Sequence, residues 1–67
     1  MLTFDRTLSP QKFKSLREKH NFTQGQLALL LGVTQPAIAY YEKKGVKNFW
    51  IVYRLALTLD CKVSDLI

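Results

Sequence analysis

Cysteine, histidine and acidic side chains are scarce in this 67-residue chain, and each scarcity removes a class of function. With Cys61 as the one cysteine, no intramolecular disulfide can form, and the expected compartment is the reducing cytoplasm. His20 is the one histidine, so there is no Cys/His set for zinc and no nucleophile–base constellation. Neither a metal, nor a cofactor, nor an enzyme activity is expected. Cys61 reads as an ordinary turn or core residue, and His20 as an exposed helix-end residue. The longest apolar run, Leu27 to Val33, is far below the roughly 20 residues of a membrane span. The start, MLTFDRTLSP, places Asp5 and Arg6 where a signal peptide needs an apolar core. No repeat or low-complexity segment is present. No stretch alternates with a period of two for long enough to predict a strand.

What is present is hydrophobic residue and positive charge. Apolar residues make up 48%, too many for a disordered tail. The length fits one small domain, which buries only about 60% of its unfolded surface. Ten Lys plus Arg against five Asp plus Glu give +5, with a pI near 9.7. That balance favours a polyanionic partner over a merely soluble basic domain, but only modestly.

Start and stop signals divide the chain into helices. Residues 1–8 are a lead-in, either an extended arm or an edge strand, and residues 9–67 form the domain. Ser9-Pro10 is an N-cap followed by proline at the first helical position. Phe13 and Leu16 share a face of this helix, which runs to about His20, with Asn21 as a left-handed cap. Thr23 and Gln26 match a capping box, and Phe22 with Leu27 a hydrophobic staple. Leu27, Ala28 and Leu31 form the inward face, and Gly32 ends the helix. Thr34 then caps a third helix over 35–44, with Pro36 in its first turn, Val33 and Ile38 as a second staple, and Ile38 and Tyr41 facing inward. After a loop at 45–48, a fourth helix is predicted from Phe49 to Leu59, with Phe49, Val52, Ala56 and Leu59 on its inward stripe. Ser64 is placed as the cap of a last turn, or Val63 to Ile67 is a frayed end. The predicted fold is all-α, a compact bundle of four to five short helices.

The second and third helices are joined by a turn at Gly32, Val33 and Thr34, the spacing of a helix-turn-helix. Ala28 supplies the small residue needed where the helices cross, Gly32 the bend, and Ile38 the apolar anchor. Pro36, Ala39, Tyr40 and Lys43 then face away from Ile38. Gln35 can bond N6 and N7 of adenine, and Pro36 and Ala37 suit the thymine methyl. Tyr40 reaches either a base edge or a phosphate. Lys43, Lys44 and Lys47 are candidate phosphate contacts, with Gln24 and Thr34 at helix N-termini. The ordinary alternatives are a solvated glutamine, an exposed tyrosine and a solvated charge run.

Residues Leu16 to Leu66 resemble the Cro/C1-type, XRE-like helix-turn-helix family of phage and bacterial regulators. The matching segments are L-R-E-K at 16–19, F-T-Q at 22–24, L-A at 27–28, L-G-V-T-Q at 31–35 and I-A-Y-Y-E-K at 38–43. The resemblance implies a lambda-repressor-like domain of five helices that binds operator DNA as a two-fold dimer. It also implies that Gln24 clamps phosphate, that Gln35 reads adenine, that Pro36 and Tyr40 occupy further base-reading positions, and that Arg17 and Glu42 form an ion pair between the first and third helices. Pro36 stands where many members carry a polar reader, so one hydrogen-bonding position is lost. Gly25 softens the second helix.

Apolar residues are left over. Trp50, Leu57 and Ile51 lie off the inward stripe of the fourth helix, and Leu29 faces away from Leu27 and Leu31. The plain reading is a wrapped core with a few exposed apolar residues. The sharper one is a homodimer interface with Trp50 and Leu57 at its centre. A DNA-binding repressor on a pseudo-palindromic site is therefore the expected function, with double-stranded DNA as partner and no membrane or small-molecule ligand. The rival is an antitoxin or other interaction module, which docks a protein partner (a toxin or an antirepressor) through the fourth helix.

Overall fold

A computed structural model of the chain describes residues 7–67. Five helices follow in order: α1 (Pro10–Lys19), α2 (Gln24–Leu31), α3 (Gln35–Lys44), α4 (Phe49–Thr58) and α5 (Val63–Leu66). No strand occurs among the described residues; a single antiparallel bridge joins Leu8 to Val46. The segment read as an arm or edge strand lies, for residues 1–6, outside the described residues. Leu8 itself is buried, and it exchanges two 2.9 Å backbone hydrogen bonds with Val46.

Each helix starts where a side chain can satisfy an orphan backbone N–H. Ser9 accepts from Lys12 N–H at 3.1 Å. The Thr23–Gln26 box is reciprocal, with bonds of 3.0 and 2.9 Å. Thr34 accepts from Ala37 N–H at 3.3 Å, and Asn48 from Trp50 N–H at 2.9 Å. The last cap differs from the prediction: Lys62, not Ser64, is the N-cap of α5. Asp65 decides this, because its carboxylate reaches back to accept from Lys62 N–H at 3.2 Å. Ser64 therefore falls inside the helix.

Three helices end the same way. The bonds Phe22 N–H to Arg17 O and Asn21 N–H to Glu18 O close α1; Val33 to Ala28 and Gly32 to Leu29 close α2; Cys61 to Ala56 and Asp60 to Leu57 close α4. These are Schellman caps, and each turns the chain sharply through one left-handed residue. Those residues are Asn21 (φ 61°), Gly32 (φ 71°) and Asp60 (φ 54°). Such abrupt reversals let helices of eight to ten residues fold back on one another in so short a chain.

The core is built from Leu8, Phe13, Leu27, Leu31, Ile38, Val46, Val52, Leu55 and Leu66, with Ala28 where α2 meets its neighbours. α3 packs on α1 and α2, while α4 packs on α2 and α5. Half-buried Tyr41 meets Phe13 edge to face, with ring centres 5.6 Å apart. The inward arc of α4 also departs from the prediction. Ile51 and Leu55 are buried beside Val52, Ala56 and Leu59, whereas Phe49 is 39% exposed. On a helical wheel the buried set centres on Val52, Leu55 and Leu59, which leaves Phe49 at its flank.

Candidate nucleic-acid interface

The turn between α2 and α3 brings the two helix N-termini onto neighbouring surface. An ideal Cβ built on Gly25, in the first turn of α2, would lie 3.7 Å from Gln35 Oε1 at the first position of α3. Gln35, Pro36, Ala39 and Tyr40 are all exposed, and Ala37 is half-buried. Ile38 is fully buried, which fixes the rotation of α3 about its axis and directs those residues outward. Thr34 is exposed, and its hydroxyl already accepts the cap bond from Ala37 while its own O–H remains a donor. Tyr40 is 59% exposed, with its ring 6.2 Å from that of Tyr41 and nearly perpendicular to it.

A polar network ties this surface together. Arg17 of α1 grips Glu42 of α3 with two donors, Nε to Oε2 and Nη2 to Oε1, the latter at 3.3 Å. Its third nitrogen, Nη1, donates to Phe22 O at 2.8 Å and so holds the α1–α2 connection. Gln24 Nε2 donates to Glu42 Oε1 at 3.1 Å. One carboxylate thus joins α1, the start of α2 and the end of α3. The side chains are 13% and 8% exposed for Arg17 and Glu42. Burial works against the Glu42 charge, but hydrogen bonds from Arg17 and Gln24 outweigh it and hold the carboxyl below its usual range. The same hydrogen bond raises Arg17 above its ordinary value, against the opposing effect of burial. Gln24 keeps a second amide hydrogen, so its tether to Glu42 leaves it able to donate to a phosphate.

Lys43, Lys44 and Lys47 are exposed at and just beyond the end of α3. They lie at the opposite end of the helix from Gln35. Trp50 and Leu57 are on a different surface, 59% and 62% exposed. Tyr53, 40% exposed, lies between them and stacks at a tilt on Trp50 with ring centres 5.6 Å apart. Tyr53, not among the residues expected on this face, has the three-and-four spacing from Trp50 and Leu57 that places it there. Leu29 is 83% exposed and, with Phe22, Leu30, Asn21 and Gln26, borders a shallow apolar depression.

Cys61 is half-buried, and burial, helped by Asp65 and Asp60, pushes its thiol pKa up, away from reactivity. Among the described residues no group of three or more His, Cys, Asp or Glu could hold a metal ion, and no helix is long and apolar enough to cross a membrane.

The family model described as helix-turn-helix matches residues 13–66. The chain belongs to this Cro/C1-type helix-turn-helix family, and it is a DNA-binding regulator. No curated protein and no solved structure gives a significant match.

Proposed function

We propose that the chain is a sequence-specific transcriptional repressor that binds a pseudo-palindromic operator as a two-fold dimer and represses by occluding a promoter. α3 enters the major groove N-terminus first. Gln35 reads adenine, Pro36 and Ala37 meet thymine methyl groups, and Tyr40 lies against the groove wall. Gln24, Thr34 and Lys43, Lys44 and Lys47 hold phosphates on either side. The observation that carries this reading is the outward set Gln35–Pro36–Tyr40 on a helix whose rotation is fixed by buried Ile38 and whose far end is tied to α1 and α2 through Glu42.

The dimer is supported by the Trp50–Tyr53–Leu57 face of α4. Three large apolar side chains on one exposed helix face are costly to leave in water and are typical interface anchors. In the proposed dimer a second copy of the chain covers this face. A protein partner from another chain is the competing occupant.

Selection of bound sites from a random DNA pool, followed by salt titration, tests both elements. The expected result is an inverted repeat with half-sites about 34 Å apart, one helical turn. Recovery of single, unpaired half-sites would contradict the dimer, and recovery of no consensus would contradict specific reading.

A further inference from the structure

Gly25 is a glycine that its backbone does not require. It lies inside α2 and is absent from the left-handed positions, which among the described glycines are Gly32 and Gly45. In a helix, glycine is the least favourable residue after proline. Gly25 is also exposed, so no core packing demands its small size. What lies next to it is the reader: a Cβ there would be 3.7 Å from Gln35 Oε1 and 4.0 Å from Thr23 Oγ1. The neighbouring Gln24 is engaged by Glu42. Among the described residues, no hydrogen bond fixes the Gln35 carboxamide. Its placement is therefore left to the shape of the surface it lies against.

We propose that Gly25 is a specificity-determining position: the bare patch of α2 at Gly25 seats the Gln35 carboxamide and so sets where its oxygen and nitrogen meet a base. The inference rests on Gln35 being the base contact. A bidentate pair with adenine needs the amide plane and both its polar atoms in place together. A methyl group at position 25 makes ordinary van der Waals contact and leaves that placement intact. Val, with two γ carbons, fills most directions open from Cβ and competes with the carboxamide for the same space.

The test is a double-mutant cycle on a site recovered from the random pool and on the same site with the adenine read by Gln35 replaced. Discrimination between the two DNAs is measured for wild type, Gly25→Ala, Gly25→Val, Gln35→Ala and Gly25→Val/Gln35→Ala, with circular dichroism melts of each. Gly25→Ala is expected to discriminate like wild type and to melt no lower. Gly25→Val is expected to lose about tenfold in discrimination, to keep its affinity for non-specific DNA, and to have no further effect once Gln35 is alanine. Should Gly25→Val melt low, Gly25→Gln serves in its place at the same exposed position. A side chain larger than alanine at position 25, Val or Gln, that leaves discrimination unchanged overturns the proposal. So does a loss of the same size in the Gln35→Ala background, because position 25 would then act on the DNA or the fold directly. If Gln35→Ala itself discriminates like wild type, the base-contact assignment fails first, and the role of Gly25 falls with it.

Discussion

Replacing Glu42 by glutamine keeps the shape of the side chain and removes the charge that joins three helices. The carboxylate accepts two bonds from Arg17 and one from Gln24. A glutamine carbonyl can still accept, but its NH2 then faces donors, and Arg17 keeps its charge with its side chain only 13% exposed. Hydrogen bonds to charged groups contribute about 1.5–3 kcal/mol each, and breaking a fully buried pair costs about 3–5 kcal/mol. This pair touches solvent at its edge, which places Glu42→Gln at about 2–3 kcal/mol. A domain of this size has about 3–10 kcal/mol in total, so the thermal midpoint should fall by about 10–20 °C. The pH dependence separates this mechanism from a packing defect. The Glu42 carboxyl titrates lower in the folded protein than in the unfolded chain, where a glutamate titrates near 4.3. Its stabilisation is therefore complete above about pH 4.3 and is lost as the pH falls through the folded value. Urea melts of wild type and Glu42→Gln should differ widely at pH 7, and the gap should narrow progressively as the pH is lowered below about 4.3. A gap that does not narrow with falling pH, or is absent at pH 7, would refute the role of the carboxylate charge.

Gly45→Ala should be severe, costing about 2–4 kcal/mol in denaturant melts, because φ is 84° there and the new Cβ would meet Leu8 O at 2.8 Å and Pro10 Cδ at 3.2 Å. Gly32→Ala should cost only about 1 kcal/mol, since its φ is 71° but its nearest neighbour is an Arg54 side-chain nitrogen at 3.8 Å; equal losses at the two glycines would contradict this assignment. Trp50→Ala should shift sedimentation toward monomer at concentrations where wild type is dimeric, and an unchanged profile would remove Trp50 from the interface. Lys43→Ala with Lys44→Ala should lower the slope of log affinity against log salt by about 2 and leave base preference intact; altered preference with an unchanged slope would argue against phosphate contact.

The helices that frame the site were readable because their ends are written locally. Thr23–Gln26 and Thr34 are caps, and Asn21 and Gly32 take the left-handed positions that their side chains permit. The rotation of α3 followed from Ile38. α4 was harder to read because nearly every residue in it is apolar, so periodicity offered more than one inward stripe. Packing against α2 and α5 chose the stripe with Ile51 and Leu55 and left Phe49 at the edge. The start of α5 turned on one side-chain bond, from Lys62 N–H to the Asp65 carboxylate, which places the cap two residues before Ser64. Contacts between distant segments carry no local signal: nothing near Leu8 or Val46 in sequence marks the bridge that joins them. Arg17 and Glu42 are 25 residues apart, and only the resemblance to a family placed them together.

In the proposed complex Gln35, at the start of α3, reads a base from the major groove. The most direct test replaces adenines of a selected site, one at a time, with 7-deaza-adenine, which lacks the N7 acceptor and leaves the Watson–Crick pair intact. One adenine in each half-site should lose about tenfold in affinity with wild-type protein and nothing with Gln35→Ala. Equal sensitivity of the two proteins at every adenine would contradict base reading by Gln35.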